Sequence, residues 1–315
     1  MRQTAFFAAA LTVLAGSLSA ADQQMMNLLM PDAKIVAGIN VDQAKSSQFG
    51  QFVLGHMGSD QHLQGFIEMS GFDPRTDLHE VLFATGVGGG GHDGLLLARG
   101  NFSLDKISAL AAKTGGKKVA TYKGVPLLGS QGENGQYVIA VVDNTLVIAG
   151  DLASVQAALD RRAAASSIDP ALAARVHTLS TTQDAWTVSI APLSAFSKMP
   201  IGDPTLQGAF QGDLLKKVQQ TSGGIRFGET VSITGEALAT SNQDASALGD
   251  VVKFLAGMIQ VNAQDLPVTS LVRNLNVTSS GNTLKLNLSI KEDQLEAFLN
   301  SANQDVHVKH KPSSI

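Results

Sequence analysis

Short motifs in this chain contain residue types that bind phosphate or attack acyl groups in other proteins. Residues 86–91 read Gly-Val-Gly-Gly-Gly-Gly and contain the pattern G-x-G-x-x-G. In dinucleotide sites that pattern leads into a helix whose N–H groups meet the pyrophosphate. Here an apolar strand pattern at 95–98 follows, so the run predicts a hairpin connection. Residues 103–106 match S-x-x-K and residues 113–115 match K-T-G, but both fall on one short predicted helix, of which Ser103 is the expected N-cap.

The histidines lack the spacing of a metal site. None forms H-E-x-x-H or an i,i+4 pair. His56 and His62 would point about 120° apart on a helix, because six residues turn roughly 600°. Shared ligation by these two would need a loop at Gly58, and ordinary polar surface is the alternative. The seven histidines are His56, His62, His79, His92, His177, His307 and His310.

Three carboxylates cluster at residues 73–80, and paired carboxylates are what general acid–base catalysis uses. Asp73 precedes a proline, and this pair predicts a turn. We expect Asp77 to cap the short segment that leads into the next strand, and Glu80 lies shortly after Asp77 in the sequence. Residues 129–132, Gly-Ser-Gln-Gly, are one residue short of the nucleophile elbow G-x-S-x-G, and we predict a loop there. We therefore predict no catalytic residues, no cofactor and no metal site.

Composition excludes several classes of function. The 315 residues include no cysteine, which excludes disulfides, thiol catalysis, Cys-ligated zinc and iron–sulfur clusters. The net charge is −4 and aromatic residues make up 5%, so a basic, aromatic surface for nucleic acid is not expected. Hydrophobic residues reach 44%, which predicts a folded chain with a sizeable core.

Residues 1–21 have the pattern of a cleavable export signal. Arg2 precedes an apolar stretch over 5–14, too short to span a bilayer of roughly 30 Å. Ser19 and Ala21 place small residues at positions −3 and −1 of a cut after Ala21. The alternative is an uncleaved anchor or a buried first helix. No other run approaches a membrane span, so we expect a mature chain without a transmembrane segment, periplasmic or secreted in a bacterium.

Four strand patterns each lead into an amphipathic helix, and their spacing repeats. The first helix precedes the third, and the second precedes the fourth, by a nearly constant offset, which is typical of a tandem duplication. The helices are predicted to start near residues 103, 151, 242 and 291. The predicted domains are a signal peptide at 1–21, a first module at 22–165, a second module at 166–305 and a disordered tail at 306–315.

Alternating strands joined by tight turns predict antiparallel pairing. The fold class is therefore α+β: two tandem duplicated modules of antiparallel β-sheet, with helices packed on one face. The strands at 138–142 and 146–148 are apolar on both sides, so we expect them to be central or sandwiched. Residues 271–277 are expected to form another strand. The stretch 169–182 is either an interdomain linker or a helix that starts at Pro170.

Two segments carry a resemblance. Residues 71–81 read Gly-Phe-Asp-Pro-x-x-Asp-Leu-x-x-Val, and residues 148–159 read Ile-Ala-Gly-Asp-x-x-Ser-Val-x-x-Ala-Leu. Both, with the strands and helix around them, resemble large secreted or periplasmic bacterial proteins of unknown function. The resemblance covers the first half of the chain. It implies a repeated α+β architecture and no settled activity, so no site residue is transferred.

We expect an exported non-catalytic protein that binds or assembles with a partner through a sheet surface or edge. The first alternative is a carrier or chaperone for a hydrophobic ligand, with residues 25–30 either a mobile apolar segment or a helix docked on the core. The second is a hydrolase, which would need histidine to meet carboxylate in one pocket. The residues in question are His79 or His92 with Asp73 or Asp93. The partner is expected to be a protein or a hydrophobic small molecule.

Overall fold

The computed structural model describes residues 21–57, 61–86, 94–113, 116–132, 135–165, 167–193, 215–262, 272–291 and 293–295. Its strands are β1 (Ile35–Asn40), β2 (Leu78–Thr85), β3 (Gly94–Gly100), β4 (Lys117–Tyr122), β5 (Val125–Gly132), β6 (Gly135–Asp143), β7 (Leu146–Asp151), β8 (Ala185–Ser189), β9 (Val218–Arg226), β10 (Thr230–Ala239), β11 (Leu275–Ser280) and β12 (Thr283–Lys291). Its helices are α1 (Gln23–Leu28), α2 (Val41–Ser46), α3 (Gln48–Met57), α4 (Gln61–Ser70), α5 (Pro74–Asp77), α6 (Leu104–Lys113), α7 (Leu152–Arg161), α8 (Pro170–Ser180) and α9 (Asn242–Asn262).

All twelve strands lie in one sheet, in the order β11-β12-β10-β9-β8-β1-β2-β3-β7-β6-β5-β4. Its strand pairs are antiparallel. β1 and β8 pair at the centre, with Val36 opposite Val188. β4 and β11 form the two edges. The predicted α+β class with antiparallel pairing is confirmed.

The two halves of the sheet have similar strand orders. Outward from the centre, the first half runs β1-β2-β3-β7-β6 and the second runs β8-β9-β10-β12-β11. A helix follows the third strand of each half: α6 follows β3 and α9 follows β10. The β4–β5 hairpin extends the first half alone. The similar strand order of the two halves is compatible with a tandem duplication, which itself stays a prediction.

The helices lie on both faces of the sheet, although we expected them on one. Directly paired residues of an antiparallel sheet point to the same side, so the registers assign each side chain to a face. The inner face carries Leu82, which is buried in one cluster with residues of α1, α7 and α8. The outer face carries Phe83, whose cross-strand row continues to Leu286. On this outer face α9 lies over β11 and β12, where its Gly249 is next to Leu284.

Helix α1 is docked in the core, as one of the two readings of 25–30 predicted. Met25, Leu28 and Leu29 have no exposed surface. Burial of each such side chain contributes roughly 1.5–3 kcal/mol. Asp22 caps the start of α1, and Arg161 Nη2 donates to the Leu28 carbonyl at 2.9 Å. A helix of six residues does not persist alone in water, so these contacts hold it.

The stretch 169–182 is a helix, α8, and not a linker. Asp169 accepts hydrogen bonds from two backbone N–H groups of the first turn, and a proline at the first helical position needs no hydrogen-bond partner for its nitrogen. Leu172 and Val176 are buried against the inner face. The helix therefore belongs to the core around β8.

The strand predicted at 271–277 begins only at Leu275. Val272 lies in a helical turn, and residue 271 is outside the described residues. The side chain of Asn274 donates to the Ser289 carbonyl at 3.2 Å, which replaces a backbone ladder bond. Regular pairing with β12 starts at the next residue, Leu275 opposite Leu288.

Candidate functional site

The S-x-x-K match and the two strands that flank the glycine run have structural roles in the described part of the chain. β2 and β3 flank the glycine run as a paired hairpin, with Thr85 opposite Gly94, while residues 87–93 lie outside the described residues. Ser103 precedes α6, and its side chain accepts from the Lys106 N–H at 3.4 Å. The predicted hairpin and the predicted N-cap are thus both present.

The loop that we predicted at 129–132 is wrong, because these residues belong to β5. Gly129 pairs with Val138 and Ser130 with Tyr137 of β6. A Cβ atom on Gly129 would overlap the Tyr137 carbonyl, so glycine permits this close pairing. The Gly-Ser-Gln-Gly stretch therefore continues the sheet and does not form a nucleophile elbow.

Among the histidines, His79 has a carboxylate partner. Its Nδ1 lies 2.9 Å from Asp42 Oδ2, and Lys45 Nζ lies 3.2 Å from Asp42 Oδ1. Burial raises the pKa of Asp42, but the hydrogen bonds to His79 and Lys45 outweigh it and leave that pKa below its usual value. Within the described residues, no three His, Asp or Glu side chains are grouped to hold a metal ion. Outside them lie His92, Asp93, His307, His310 and the side chains of His56 and His62.

The three carboxylates of the acidic group at 73–80 already have hydrogen-bond or ion-pair partners. Asp73 caps α5 and forms an ion pair with Arg75 at 2.8 Å, and the Arg75 hydrogen bond holds the pKa of Asp73 below its usual value. Asp77 Oδ2 accepts the Asp73 N–H at 2.8 Å. Glu80 instead bonds to Asp22, whose backbone N–H lies 3.2 Å from Glu80 Oε1. His79 and Asp73, which a hydrolase would need together, have separate partners.

An apolar cleft lies between α6 and the outer face of the sheet. Its volume is about 290 Å³. Ile107 and Leu110 form the helix side, and Leu128, Ile139 and Ala149 lie on the sheet side. Tyr137 is the one lining residue whose side chain carries a polar atom. The cleft can therefore accept an apolar group.

An exposed apolar row leads across the sheet to this cleft. Phe83 pairs with Leu96, Leu96 with Ala149, and Ala149 with Ile139. We call these four residues the outer apolar row. The exposed fractions of Phe83, Leu96 and Ile139 are 38%, 42% and 42%. With strands about 4.8 Å apart, the row is roughly 14 Å long. Exposed apolar surface of this kind typically marks a binding site.

The outer face of the second half carries a longer helix than that of the first half. α9 has 21 residues and contacts β10, β11 and β12. α6 has 10 residues and contacts β4 and β5. At 1.5 Å per residue the helices are about 31 Å and 15 Å long. Beside the shorter helix, Phe83 of β2 and Leu96 of β3 are exposed on the outer face.

A polar cleft of about 590 Å³ lies on the inner face between α8 and the second half of the sheet. Glu236 lies at its centre, 3.0 Å from Lys285 Nζ and 3.8 Å from Arg175 Nη1. Arg175 Nη1 also lies 3.4 Å from Ser222 Oγ. The charges in this cleft are therefore paired with one another.

The sequence contained one signal for the apolar cleft. β6 and β7 are apolar on both sides, from which we expected a sandwiched position. The inner sides, Val138 and Ile148, are covered, whereas Ile139 on the outer side is not. The pattern indicated two apolar faces, but the length of α6 and its position over β5 are tertiary properties that it does not encode.

Comparison with known proteins gives a fold and no family. No family model and no curated protein matches the chain. The structure of crystal form I of TP0453 is similar, with a TM-score of 0.52 and 9% sequence identity. The match covers 90% of this chain and 98% of that one. Among the described helices, α9 included, none combines the length and apolarity needed to cross a bilayer.

Proposed function

We propose that this chain is an exported, non-catalytic binding protein that takes an unbranched apolar chain into the cleft under α6. The main support for this proposal is the cleft itself. It is concave, lined almost entirely by apolar side chains and continuous with the outer apolar row. Binding sites for small molecules have this character, with few polar groups among apolar ones.

The volume of the cleft sets the size of the ligand. At about 30 Å³ for a group the size of water, 290 Å³ holds roughly ten methylene-sized groups. Each buried methylene contributes about 0.8 kcal/mol, so a fully seated chain gains about 8 kcal/mol, the equivalent of micromolar affinity. Because the cleft is open to solvent on one side, we expect micromolar or weaker binding.

The two edges of the sheet are weaker candidates for a binding site than its surface. The edge strand β4 begins with exposed Lys117 and Lys118, and charged lysines on an edge oppose pairing with another strand. The other edge, β11, is largely polar and exposed, with Asn276 and Thr278 among its residues. The exposed side chains of both edges are thus polar or charged, which disfavours the addition of a strand.

The proposed export rests on the signal pattern of residues 1–21 and on the contacts that follow it. The described structure begins at Ala21, and Asp22 already caps α1. The capped start of α1 therefore lies directly after the predicted cleavage site.

The test is a fluorescence titration with a series of dansyl amides of n-alkylamines. The alkyl chains of the series are shorter than, equal to and longer than about ten carbons. We expect affinity to rise by about fourfold per carbon, the equivalent of 0.8 kcal/mol, and to level off near ten carbons. Ile139→Ser should weaken binding of every chain that reaches the cleft.

The matched control is Phe254→Ser, which removes from α9 an apolar side chain that is 67% exposed and lies away from the cleft. It should leave the titrations unchanged. Equal weakening by both variants, or no binding by any probe, would contradict the proposed function.

A further inference from the structure

The structure contains a partly buried carboxylate whose hydrogen-bond partner is a backbone nitrogen near the predicted cleavage site. Glu80 lies on β2, beside the start of α1, and is partly buried. Its Oε1 accepts the Asp22 N–H at 3.2 Å. Within the described chain no Lys, Arg or His side chain forms an ion pair with Glu80, because the nearby Arg99 binds the Asp22 carboxylate at 2.7 Å.

Asp22 is held so that its nitrogen stays directed at Glu80. Its Oδ1 accepts from the N–H groups of Gln24 and Met25 at 2.7 and 3.1 Å. Its Oδ2 accepts from Arg99. The side chain is therefore fixed from two sides, and the nitrogen lies between a capped helix and a partly buried acid.

The predicted scissile bond is the one that ends at this nitrogen. A cut after Ala21 satisfies the small-residue rule at positions −3 and −1, and this argument makes no use of the fold. Hydrolysis by a signal peptidase consumes one water, whose hydroxyl joins the Ala21 carbonyl carbon and whose hydrogen joins the Asp22 nitrogen. At neutral pH that amine takes up a solvent proton and becomes an ammonium with three N–H donors.

We propose that Glu80 is the receptor for the mature N-terminus: cleavage after Ala21 frees the Asp22 ammonium, which forms an ion pair with Glu80 and fastens α1 to the core. A charge-assisted hydrogen bond of this kind is roughly twice as strong as the amide bond it replaces. The position is specific, because successive residues are about 3.8 Å apart and an ammonium one residue earlier would miss the carboxylate.

The electrostatic surroundings agree with this role. In the uncleaved chain the pKa of Glu80 is raised to about 7. Burial is the largest cause and the Asp22 carboxylate also raises this pKa, while the Asp22 N–H and the Arg99 guanidinium lower it. An ionised Glu80 is therefore unfavourable in the folded precursor. An adjacent ammonium removes that penalty and completes the charge balance with Asp22 and Arg99.

The test compares two forms of the full mature chain, one beginning with a free Asp22 amine and one acetylated there. We expect acetylation to lower the melting temperature by a few degrees near pH 7, and the difference to shrink at acidic pH, once Glu80 is protonated in both forms. Glu80→Gln should abolish the difference at pH 7, and the exposed Glu229→Gln should preserve it.

Mass spectrometry of the exported protein provides the second readout, with an N-terminus at Asp22 expected. A different N-terminus would overturn the proposal. It would also be overturned if acetylation lowered the melting temperature equally in Glu80→Gln and in the unsubstituted chain, because the ammonium would then act elsewhere.

Discussion

Substituting Ala149 by leucine should shorten the chain that the cleft accepts. Ala149 lies on the outer face between Leu96 and Ile139 and lines the cleft. Leucine adds three carbon groups, which at about 30 Å³ each remove roughly 90 Å³ of the 290 Å³. The longest accommodated chain falls from about ten carbons to about seven. The loss of three buried methylenes weakens the best binding by about 2.4 kcal/mol, or roughly 60-fold.

The assay is the alkyl-chain titration, repeated on the variant after its melting temperature has been shown to match that of the unsubstituted protein. Thr187→Leu is the matched control, because Thr187 is exposed on the same cross-strand row but lies two strands beyond Phe83, away from the cleft. An unchanged limiting chain length in Ala149→Leu, or the same change in Thr187→Leu, would refute the placement of the ligand.

Three further predictions concern stability. Gly38→Ala should destabilise the fold by about 1–3 kcal/mol in urea denaturation, because a Cβ there would overlap the buried Trp186 ring. Asp169→Ala should cost about 1 kcal/mol in the same assay, because it removes the N-cap of α8. In a chain that still carries residues before Asp22, the pKa of Glu80 is about 7 in the folded state and 4.5 in the unfolded state. The folded state therefore binds the proton of Glu80 more tightly than the unfolded state does. Its free energy of unfolding should then fall between pH 4.5 and 7 by about 1–2 kcal/mol after solvent screening, and Glu80→Gln should remove this slope.

Local periodicity predicted the elements that later surround the cleft. Alternation marked β12, and apolar runs followed by a capping residue marked the β3–α6 and β7–α7 units. Asp151 caps α7 through the Ser154 N–H at 2.9 Å, as expected from its place between strand and helix. Trp186 lies in a short apolar strand, a pattern typical of a core position, and it is 6% exposed. These features depend on neighbours within a few residues, which a sequence pattern records directly.

Features that depend on distant neighbours were missed. Gly129 and Ser130 have turn-forming composition, but pairing with β6 holds them in a strand. Nothing local distinguishes α6, which leaves part of the outer face open, from α9, which contacts β10, β11 and β12. The docking of Asp22 on Glu80 joins residues 58 positions apart and appears only when α1 is placed beside β2.

Methyl chemical shifts in the presence of a dansyl amide of a ten-carbon alkylamine would test the binding claim most directly. We predict that Ile107, Leu128 and Ile139, which line the cleft, shift with saturating probe. Ile148 and Leu172, which are buried on the inner face, should not shift. Shifts confined to inner-face or α9 methyl groups, or an absence of shifts at saturation, would contradict a binding site between α6 and the sheet.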